Sequence, residues 1–502
     1  MILRSNTACP VWRRALKGRP ATAAAGFLFV RNGFIRLTCA VYILSLVLGL
    51  ASARKASASP TTAPTTQASG VPTTRNALAV PVDEQTFDAS QYLLGDPGGG
   101  RKQLADHGIT IEPLLIVDYS KNFMRGINTR SDNFWEEFDL PVEIDTEKLF
   151  GWQGGTFAAV YQLRHGQNPS RQLTGDAQTY SFETGGFIYI PPRNDDRAEL
   201  GQLWYQQKFL NDLFRLRLGK IDGSTDFDAL DNGQGFLNDA FRTGPTLGLM
   251  PEFPDTATGV QLFFEPQRGF YAGAAAFDGS GAIGIHTGEI GPRYFFRRAG
   301  DLFYVGEIGQ RYDLATDGRR LPGRVAFGGW HDTNSFELVN GNGRVVGTSG
   351  TYALFDQLLW RPLGQGPVAA APVGADRIVR GMESTYPGDI ALSASLGWAD
   401  PLVNRIDGNA LAGVTWTGID SARPIDELGF GTTYVHFSRD ARELYDYELA
   451  IELFYRVRFT PFVSLQPDLQ YIIHPSGSGT YLLNQFDRHN ALAATLRLEM
   501  SF

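Results

Sequence analysis

Cysteine is scarce in this chain: Cys9 and Cys39 are the two cysteines among 502 residues, and both lie near the N-terminus. The rest of the sequence therefore offers no disulfide framework, no cysteine-ligated zinc and no cysteine nucleophile. The G-x-S-x-G, P-loop and H-E-x-x-H motifs are also missing, and the seven histidines are scattered without metal-ligand spacing. We therefore expect no cofactor, no bound metal and no catalytic residue.

Long hydrophobic runs are equally rare. One run, Leu37–Leu50, follows Arg31 and Arg36 and precedes small residues around Ala53 and Ala58. It is shorter than the roughly 20 residues that a transmembrane helix needs. A basic flank, a short apolar stretch and small residues at a cleavage site are typical of a secretory signal peptide, with a signal anchor as the alternative. We predict an exported protein that is cleaved near one of the two alanines.

Acidic residues are absent from the predicted signal peptide, residues 1–58, which contains nine of the 45 Lys and Arg residues. The remainder would carry 36 basic against 53 acidic residues, a surplus of negative charge that repels nucleic acid. Residues 59–90 begin with a Pro- and Thr-rich stretch of low complexity, which we interpret as a linker. We therefore expect no nucleic-acid partner.

The end of the chain has the period-2 pattern of a strand with one apolar and one polar face. The apolar face carries Leu492, Leu496, Leu498, Met500 and Phe502, and the polar face carries Thr495, Arg497, Glu499 and Ser501. A strand at the edge of a sheet leaves backbone N–H and C=O groups without hydrogen-bond partners. In lipid, a closed barrel gives every one of these groups a partner. The terminus therefore favours an outer-membrane β-barrel whose last strand pairs with its first, with an edge strand of a soluble sandwich as the alternative.

Strand and turn patterns fill residues 109–502, after a short predicted helix from Gly98 to His107 that Gly108 terminates. The runs are about ten residues long, as tilted membrane strands require. Longer segments rich in Gly, Asp and Asn separate some of them, at 165–200, 222–258 and 313–324. At about 25 residues per strand and loop, the region holds roughly sixteen strands, with about 14 or 18 as alternatives. We predict an all-β fold, a transmembrane antiparallel up-and-down β-barrel, behind a short helical segment at 91–108.

Four aspartates in one of these longer segments resemble a calcium-binding loop. They are Asp222, Asp226, Asp228 and Asp231, and they are followed by Asn232 and Gly233. Their spacing does not match the D-x-D-x-D-G pattern of an EF-hand loop. We interpret the stretch as a solvated extracellular loop rather than a metal site.

Charged residues of both signs share the polar faces of several predicted strands. A water-filled lumen lined by both signs has little net ion selectivity, but it offers hydrogen-bond donors and acceptors to polyhydroxylated solutes. The planar fork of arginine suits vicinal hydroxyls. We therefore predict a pore for neutral, hydroxyl-rich solutes, with the alternative that these charges simply brace the wall. The predicted pore-lining and substrate-binding residues are Arg215, Arg217, Glu448, Glu452, Arg456, Arg458 and Arg497, with Glu112, Asp118 and Arg164 as additions.

Several motifs, in order along the chain, resemble those of the OprB-type carbohydrate-selective porin family. The opening G-D-P-G-G-G-R-K-Q-L-A-D-H-G-I-T resembles the family's G-D-W-G-G-x-R-x-x-L-x-x-x-G-I, except at Pro97, where the family has Trp, and at Gly100. Further matching segments are Leu203–Asp222, Phe253–Leu262, Phe277–Gly279, Gly350–Leu359, Arg423–Gly431 and Leu465–Gly477. The resemblance spans residues 91–502. It implies a sixteen-stranded outer-membrane barrel that passes monosaccharides, glucose above all, by facilitated diffusion.

The expected partners follow from this interpretation: carbohydrate solutes, outer-membrane lipid and the barrel-assembly machinery of a Gram-negative bacterium. Leu496, Leu498, Met500 and Phe502 would form the membrane-assembly signal at the C-terminus. The alternatives are a general diffusion porin without sugar preference, an outer-membrane barrel enzyme such as a lipase or protease, and a secreted soluble β protein. No recognisable Ser, His and Asp arrangement supports the enzyme.

Overall fold

The computed structural model describes residues 89–126, 128–166, 169–178, 196–266, 269–279, 301–363, 387–478 and 490–502. The predicted signal peptide (1–58), and all but two residues of the predicted linker, lie outside the described residues. The strands of the described ranges are β1 (Ile109–Ile111), β2 (Leu114–Met124), β3 (Asp132–Asp145), β4 (Gly155–Gly166), β5 (Arg197–Phe209), β6 (Phe214–Ile221), β7 (Ala257–Phe264), β8 (Phe270–Asp278), β9 (Leu302–Thr316), β10 (Arg319–Glu337), β11 (Arg344–Trp360), β12 (Ile390–Ala399), β13 (Ile406–Thr417), β14 (Glu427–Phe437), β15 (Tyr447–Thr460), β16 (Val463–Ile473) and β17 (Ala491–Ser501).

Helical elements of the described ranges are short. The α-helices are α1 (Gly100–Asp106) and α2 (Thr146–Phe150), and Ser170–Thr174 forms a π-helical turn. The 3₁₀ turns are Ala89–Gln91, Pro97–Gly99, Gly223–Thr225, Asp239–Phe241, Pro245–Leu247, Arg439–Ala441 and Pro475–Ser478. None of the described helices has the length and apolar character needed to cross a membrane as a helix.

Sixteen strands, β2 to β17, close into an antiparallel barrel. Each strand pairs with its neighbours in sequence, and β17 returns to pair with β2, where Leu498 lies opposite Val117. Closure gives every strand two partners, so the ring has no open edge. The prediction of a barrel of about sixteen strands, whose last strand pairs with its first, is confirmed. The additional short strand β1 pairs with the end of β3, Ile109 opposite Ile144.

The barrel is apolar outside and polar inside. On β4, Phe157, Tyr161 and Leu163 are exposed, whereas Gln162 and Arg164 beside them are buried. The same alternation recurs around the ring, with buried charged and amide side chains facing the lumen. An exterior of exposed aliphatic and aromatic side chains matches the lipid-facing surface of a transmembrane barrel.

The connections at one end of the barrel, here called the short-turn rim, are short except for 361–389. The connections 167–196, 222–256 and 279–301 begin and end at the other end, the long-loop rim. The prediction of a long connecting segment at 313–324 is wrong. Strand β9 continues to Thr316 and β10 begins at Arg319, so that Asp317 and Gly318 form a two-residue turn. Both have positive φ, 47° and 76°, as the tight turns of hairpins require.

The N-terminal helical segment lies at the short-turn rim. Helix α1 ends just before Gly108, as predicted, and Gly108 has a φ of +80°. A Cβ built on this glycine would lie 2.7 Å from Lys148 Cβ, so the close approach requires glycine. The Gly108 carbonyl accepts a hydrogen bond of 2.7 Å from Asp145 N, and Leu93 N donates to Ser501 O at 3.1 Å. These contacts fix the segment against strand ends rather than inside the barrel.

Candidate functional site

The connection between β6 and β7, residues 222–256, folds into the barrel; we call it the lumen segment. Its aspartates Asp222, Asp228 and Asp239 are buried, so the predicted solvated extracellular loop is wrong. The segment starts at β6 and contacts β15, which lies nine strands away in one direction round the sixteen-strand ring and seven in the other. It therefore crosses the lumen nearly along a diameter.

Two arginines of β6 hold the start of the lumen segment. Arg215 Nη1 donates to Asp226 Oδ1 at 2.9 Å, and Arg217 Nη1 donates to Asp226 Oδ2 at 2.6 Å. Arg217 also donates to Gln206 Oε1 at 3.0 Å, and its guanidinium carbon lies 4.3 Å from the centroid of the Trp204 ring. Charge-assisted hydrogen bonds to both carboxylate oxygens fix the orientation of the segment where it leaves the wall.

A buried glutamate on β9 receives the next part of the segment. Glu307 Oε2 accepts a hydrogen bond from the backbone N–H of Asp228 at 3.1 Å. Tyr271 and Tyr352 donate their hydroxyls to the same carboxylate at 2.5 and 2.8 Å. The Glu307 carboxylate thus accepts one hydrogen bond from the segment and two from the wall, which offset the cost of burying it.

An ion-pair network on β10 and β11 continues this anchorage. Arg324 pairs with Asp356 at 3.0 Å and with Asp231 of the lumen segment at 3.3 Å, and it also donates to the Ala229 carbonyl. Asp356 Oδ1 accepts from the backbone N–H of Asn232 at 3.1 Å. Side chains of two adjacent strands thereby hold the lumen segment at Ala229, Asp231 and Asn232.

The far wall binds the backbone of the segment through three side chains. Glu452 on β15 accepts from Leu237 N at 2.6 Å and from Asn238 N at 3.2 Å. Arg456, also on β15, and Gln466 on β16 donate to the Gly235 carbonyl at 3.3 and 2.9 Å. These are contacts to backbone atoms, so they depend on the path of the segment and not on its side chains.

An apolar cluster supports the lumen segment from one side. The segment contributes Phe227, Leu230, Phe236, Phe241 and Leu247. The wall contributes, among others, Phe263, Tyr271, Val305, Tyr352, Leu354, Leu411 and Phe454, from strands between β7 and β15. The segment therefore packs against this half of the barrel, and the polar side chains of β17, β2 and β3 lie on its other side.

The structure separates the ten predicted site residues into groups. Arg215, Arg217, Glu452 and Arg456 contact the lumen segment. Four more are buried in ion pairs within the wall: Arg497 and Asp118 pair with each other at 2.7 Å, Arg164 pairs with Glu137 at 3.2 Å, and Arg458 pairs with Glu427 at 3.6 Å. Whether a solute touches any of them stays a prediction.

Two predicted residues lie at the ends of the barrel. Glu448 faces the long-loop rim, where its Oε2 accepts from Ala177 N at 2.8 Å and from Ser476 N at 2.5 Å. Glu112 lies between β1 and β2 and accepts the Tyr92 hydroxyl at 2.7 Å. Strand alternation predicted their polarity, but each is engaged with a loop or the N-terminal segment, away from the middle of the lumen.

One corner of the lumen combines arginines with aromatic rings. The Arg164 guanidinium carbon lies 5.1 Å from the Trp135 ring centroid and 5.6 Å from that of Phe253, and Arg242 lies 5.9 Å from the Phe253 centroid. Arg164 and Trp135 are buried in the wall, whereas Arg242 and Phe253, both of the lumen segment, are partly exposed. Arg164 Nη2 and Trp135 Nε1 have no hydrogen-bond partner among the described residues.

Sequence reasoning missed the functional side chains that the lumen segment itself brings. Phe253 had a signal, because F-P-D-T-A-T-G-V-Q-L is among the motifs noted above. Arg242 had none. Arg324 was missed because residues 313–324 were predicted to be a loop. In the structure Arg324 lies in β10, where the regular alternation of buried and exposed side chains begins. In the part of the chain that the structure describes, no group of three or more His, Cys, Asp or Glu could hold a metal ion.

Comparison with known proteins agrees with this architecture. The family model described as "Carbohydrate-selective porin, OprB family" matches residues 129–502. Porin B of Pseudomonas aeruginosa is 23% identical over 443 residues, covering 82% of this chain and 92% of the relative. The putative porin QuiX of Acinetobacter baylyi is 21% identical over 416 residues, covering 77% and 89%.

Solved structures show the same fold. The high-pH structure of Pseudomonas putida OprB superposes with a TM-score of 0.67 at 21% identity, covering 83% of this chain and 99% of that one. Its low-pH structure gives a TM-score of 0.51 at 17% identity, covering 83% and 100%. The resemblance noted in the sequence motifs is confirmed over most of the chain. The chain belongs to the carbohydrate-selective porin OprB family.

Proposed function

We propose that this protein is a passive channel through which monosaccharides such as glucose diffuse. Its family and its fold are those of an outer-membrane transport channel of a Gram-negative bacterium. The carbohydrate preference would arise where the lumen segment narrows the barrel, because a solute must exchange its water for protein groups there. A passive channel needs such groups fixed in place and only weakly binding.

The observation that carries this proposal is the series of arginine and aromatic pairs on the β3–β7 wall. Arg164 approaches Trp135 and Phe253, Arg217 lies over Trp204, and Arg215 lies 4.2 Å from the centroid of Phe263. A pyranose has hydroxyls around its edge and C–H groups on its faces. Guanidinium donors match the edge and aromatic rings match the face, so a pair of this kind that a solute can reach suits a sugar better than an ion.

Within this series, Arg242 and Phe253 are the groups that a solute would touch first. Both are partly exposed to the lumen, whereas Arg164 lies buried beneath Phe253 and is paired with Glu137 at 3.2 Å. Arg164 would then position the ring from below while Arg242 donates to hydroxyls. A charge already paired in the wall adds little net ion selectivity, which favours neutral solutes.

Liposome swelling with detergent-purified protein tests the proposal. The series compares glucose, a disaccharide, an amino acid and a neutral polyol of similar size. Faster entry of glucose than of the size-matched solutes supports a carbohydrate channel. Entry ranked by size alone would make the protein a general diffusion porin, and no swelling would overturn the channel itself.

A variant pair tests the assignment to this corner. Arg242→Ala with Phe253→Ala should lower glucose entry relative to the polyol. Tyr161→Ala with Leu163→Ala, on the exposed outer face of β4, is the matched control and should leave the ratio unchanged. An unaltered ratio in the first variant would exclude these two residues from the selective site.

We also propose that residues 1–58 are removed as a signal peptide, that the barrel-assembly machinery inserts the protein, and that it has no enzymatic activity. The basic flank and short apolar run support export, and the polar lumen supports a role in transport. N-terminal sequencing of protein purified from outer membranes tests the first point. Cleavage near Ala53 or Ala58 is the expected result, and an intact Leu37–Leu50 would contradict it.

A further inference from the structure

Two phenylalanines of the lumen segment form a stacked pair. The ring centroids of Phe236 and Phe241 are 3.9 Å apart with an interplanar angle of 13°. Both side chains are almost fully buried, at 2% and 1% exposure. Phe454 of β15 meets Phe236 edge-on, with centroids 5.1 Å apart and an angle of 88°. The pair is thus packed against the wall and not free in the lumen.

Two glycines form the wall directly beneath this pair. Gly413 on β13 and Gly431 on β14 lie directly opposite each other in register. A Cβ built on Gly413 would lie 2.7 Å from carbons of both phenylalanine rings, and one built on Gly431 would lie 2.6 Å from the Phe241 ring. Carbon atoms in contact are separated by about 3.5–4.0 Å, so the rings cannot keep their place if either glycine gains a side chain.

We propose that Gly413 and Gly431 form a socket for Phe236 and Phe241, and that this socket sets the bore of the channel. The proposal rests on the channel function proposed above. The polar anchors at Asp226, Glu307 and Glu452 hold the lumen segment to other strands, and Thr246 Oγ1 donates to Asn409 Oδ1 of β13 at 2.7 Å, four residues before Gly413. At Gly413 and Gly431 themselves the ring pair sets the distance from the wall, because it fills the space between the segment and the two glycines.

The geometry gives the direction of the effect. A side chain at Gly413 or Gly431 pushes the rings away from β13 and β14, into the lumen and toward β5 and β6, which lie opposite these strands in the sixteen-strand ring. The space that the lumen segment leaves open in the lumen becomes narrower. Close-packed aromatic rings transmit such a shift because an interior without voids cannot absorb it.

Conductance of the full-length purified chain in planar lipid bilayers tests this. Gly413→Val and Gly431→Val should lower the single-channel conductance and reduce disaccharide entry more than glucose entry. Gly408→Val is the matched control on the same strand, because Gly408 lies opposite the outward-facing His436 and its built Cβ would be 3.5 Å from the nearest atom, an ordinary contact. Folding is checked by the shift of electrophoretic mobility on heating.

A compensating variant distinguishes a shift in the position of the rings from general damage to the fold. Phe236→Ala with Phe241→Ala removes both rings that a Gly413→Val side chain would strike, so the triple variant should recover conductance toward that of the wild type. A folded Gly413→Val protein with unchanged conductance would overturn the socket, as would an equal change in the Gly408→Val control.

The two proposals fail separately. Wild-type channels without sugar preference, together with a conductance that depends on Gly413, would refute the carbohydrate function and keep the socket. If the wild type prefers glucose but the Gly413→Val and Gly431→Val variants conduct like the wild type, the socket is refuted and the carbohydrate function is kept.

Discussion

Arg497 and Asp118 form a bidentate ion pair across the seam where the barrel closes. Arg497 Nε and Nη2 donate to the two carboxylate oxygens at 2.8 and 2.7 Å, and both side chains are 2% exposed. The two residues are opposite each other in the register of β17 and β2. Because β17 and β2 are the last and first strands of the ring, Arg497 and Asp118 can form this ion pair only after the ring has closed.

Breaking this pair should weaken the closed barrel. Arg497→Met alone leaves a buried carboxylate without its cation, which costs about 3–5 kcal/mol. Arg497→Met with Asp118→Leu removes both charges and should be more stable than the single variant. Urea unfolding in detergent, followed by tryptophan fluorescence, measures both. Equal midpoints for the wild type and the single variant would contradict the role of the pair.

Removal of both β6 arginines should change what the channel selects. In Arg215→Ala with Arg217→Ala, Asp226 loses both of its arginine partners and two positive charges leave the lumen. We expect a smaller glucose preference and a shift toward cation selectivity, measured by swelling and by the zero-current potential in a salt gradient. Leu216→Ala with Leu218→Ala, on the opposite face of the strand, is the control. Unchanged flux and unchanged ion selectivity would show that the two arginines have no part in selection.

Deletion of the N-terminal segment should leave the pore as it is. Helix α1 and its neighbours contact strand ends at the short-turn rim, through Asp145 and Ser501. A variant that lacks residues 91–106 is therefore expected to show wild-type single-channel conductance. A rise in conductance would instead mean that this segment plugs the channel. The heat-shifted mobility on gels shows whether the shortened barrel has folded.

The C-terminal residue should matter for assembly in cells more than for the stability of the folded protein. Phe502 N donates to the Pro113 carbonyl at 2.9 Å, and its ring meets Phe138 edge-on at 6.4 Å between centroids. Phe502→Ala keeps the backbone bond, so refolding in detergent should be nearly normal. The amount in outer membranes should fall, because the predicted assembly signal is lost.

Phe138→Ala provides the control for that experiment. It removes the same ring contact and leaves the terminus intact, so its amount in outer membranes should resemble that of the wild type. Equal losses for the two variants would reduce the role of Phe502 to packing.

The orientation of wall residues could be read from the sequence because it depends on local alternation. Glu452 and Arg456 of β15, and Arg215 and Arg217 of β6, point to the interior as their parity predicted. Each strand exposes every second side chain to lipid, so apolar residues mark the outer face. The closure of β17 on β2 was predicted on the same ground.

The course of the lumen segment could not be read in this way. Glu307, Asp356 and Glu452 bind its backbone at Asp228, Asn232 and Asn238 from 79, 124 and 214 positions away. No periodic pattern within the segment reports such partners. Its glycines and aspartates correctly indicated a connection, but the same residues occur in connections that face solvent. Its place inside the ring depends on side chains from the rest of the chain.

The dependence of the lumen segment on anchors from many strands has a consequence for how members of such a family can diverge. No strand pairing includes residues 222–256, so the barrel wall and the lumen segment are separate parts of one chain. If the lumen segment selects solutes, as we propose, substitutions in it change which solutes pass while the wall keeps its strand register. Specificity can then diverge without any change in the strands that face the membrane.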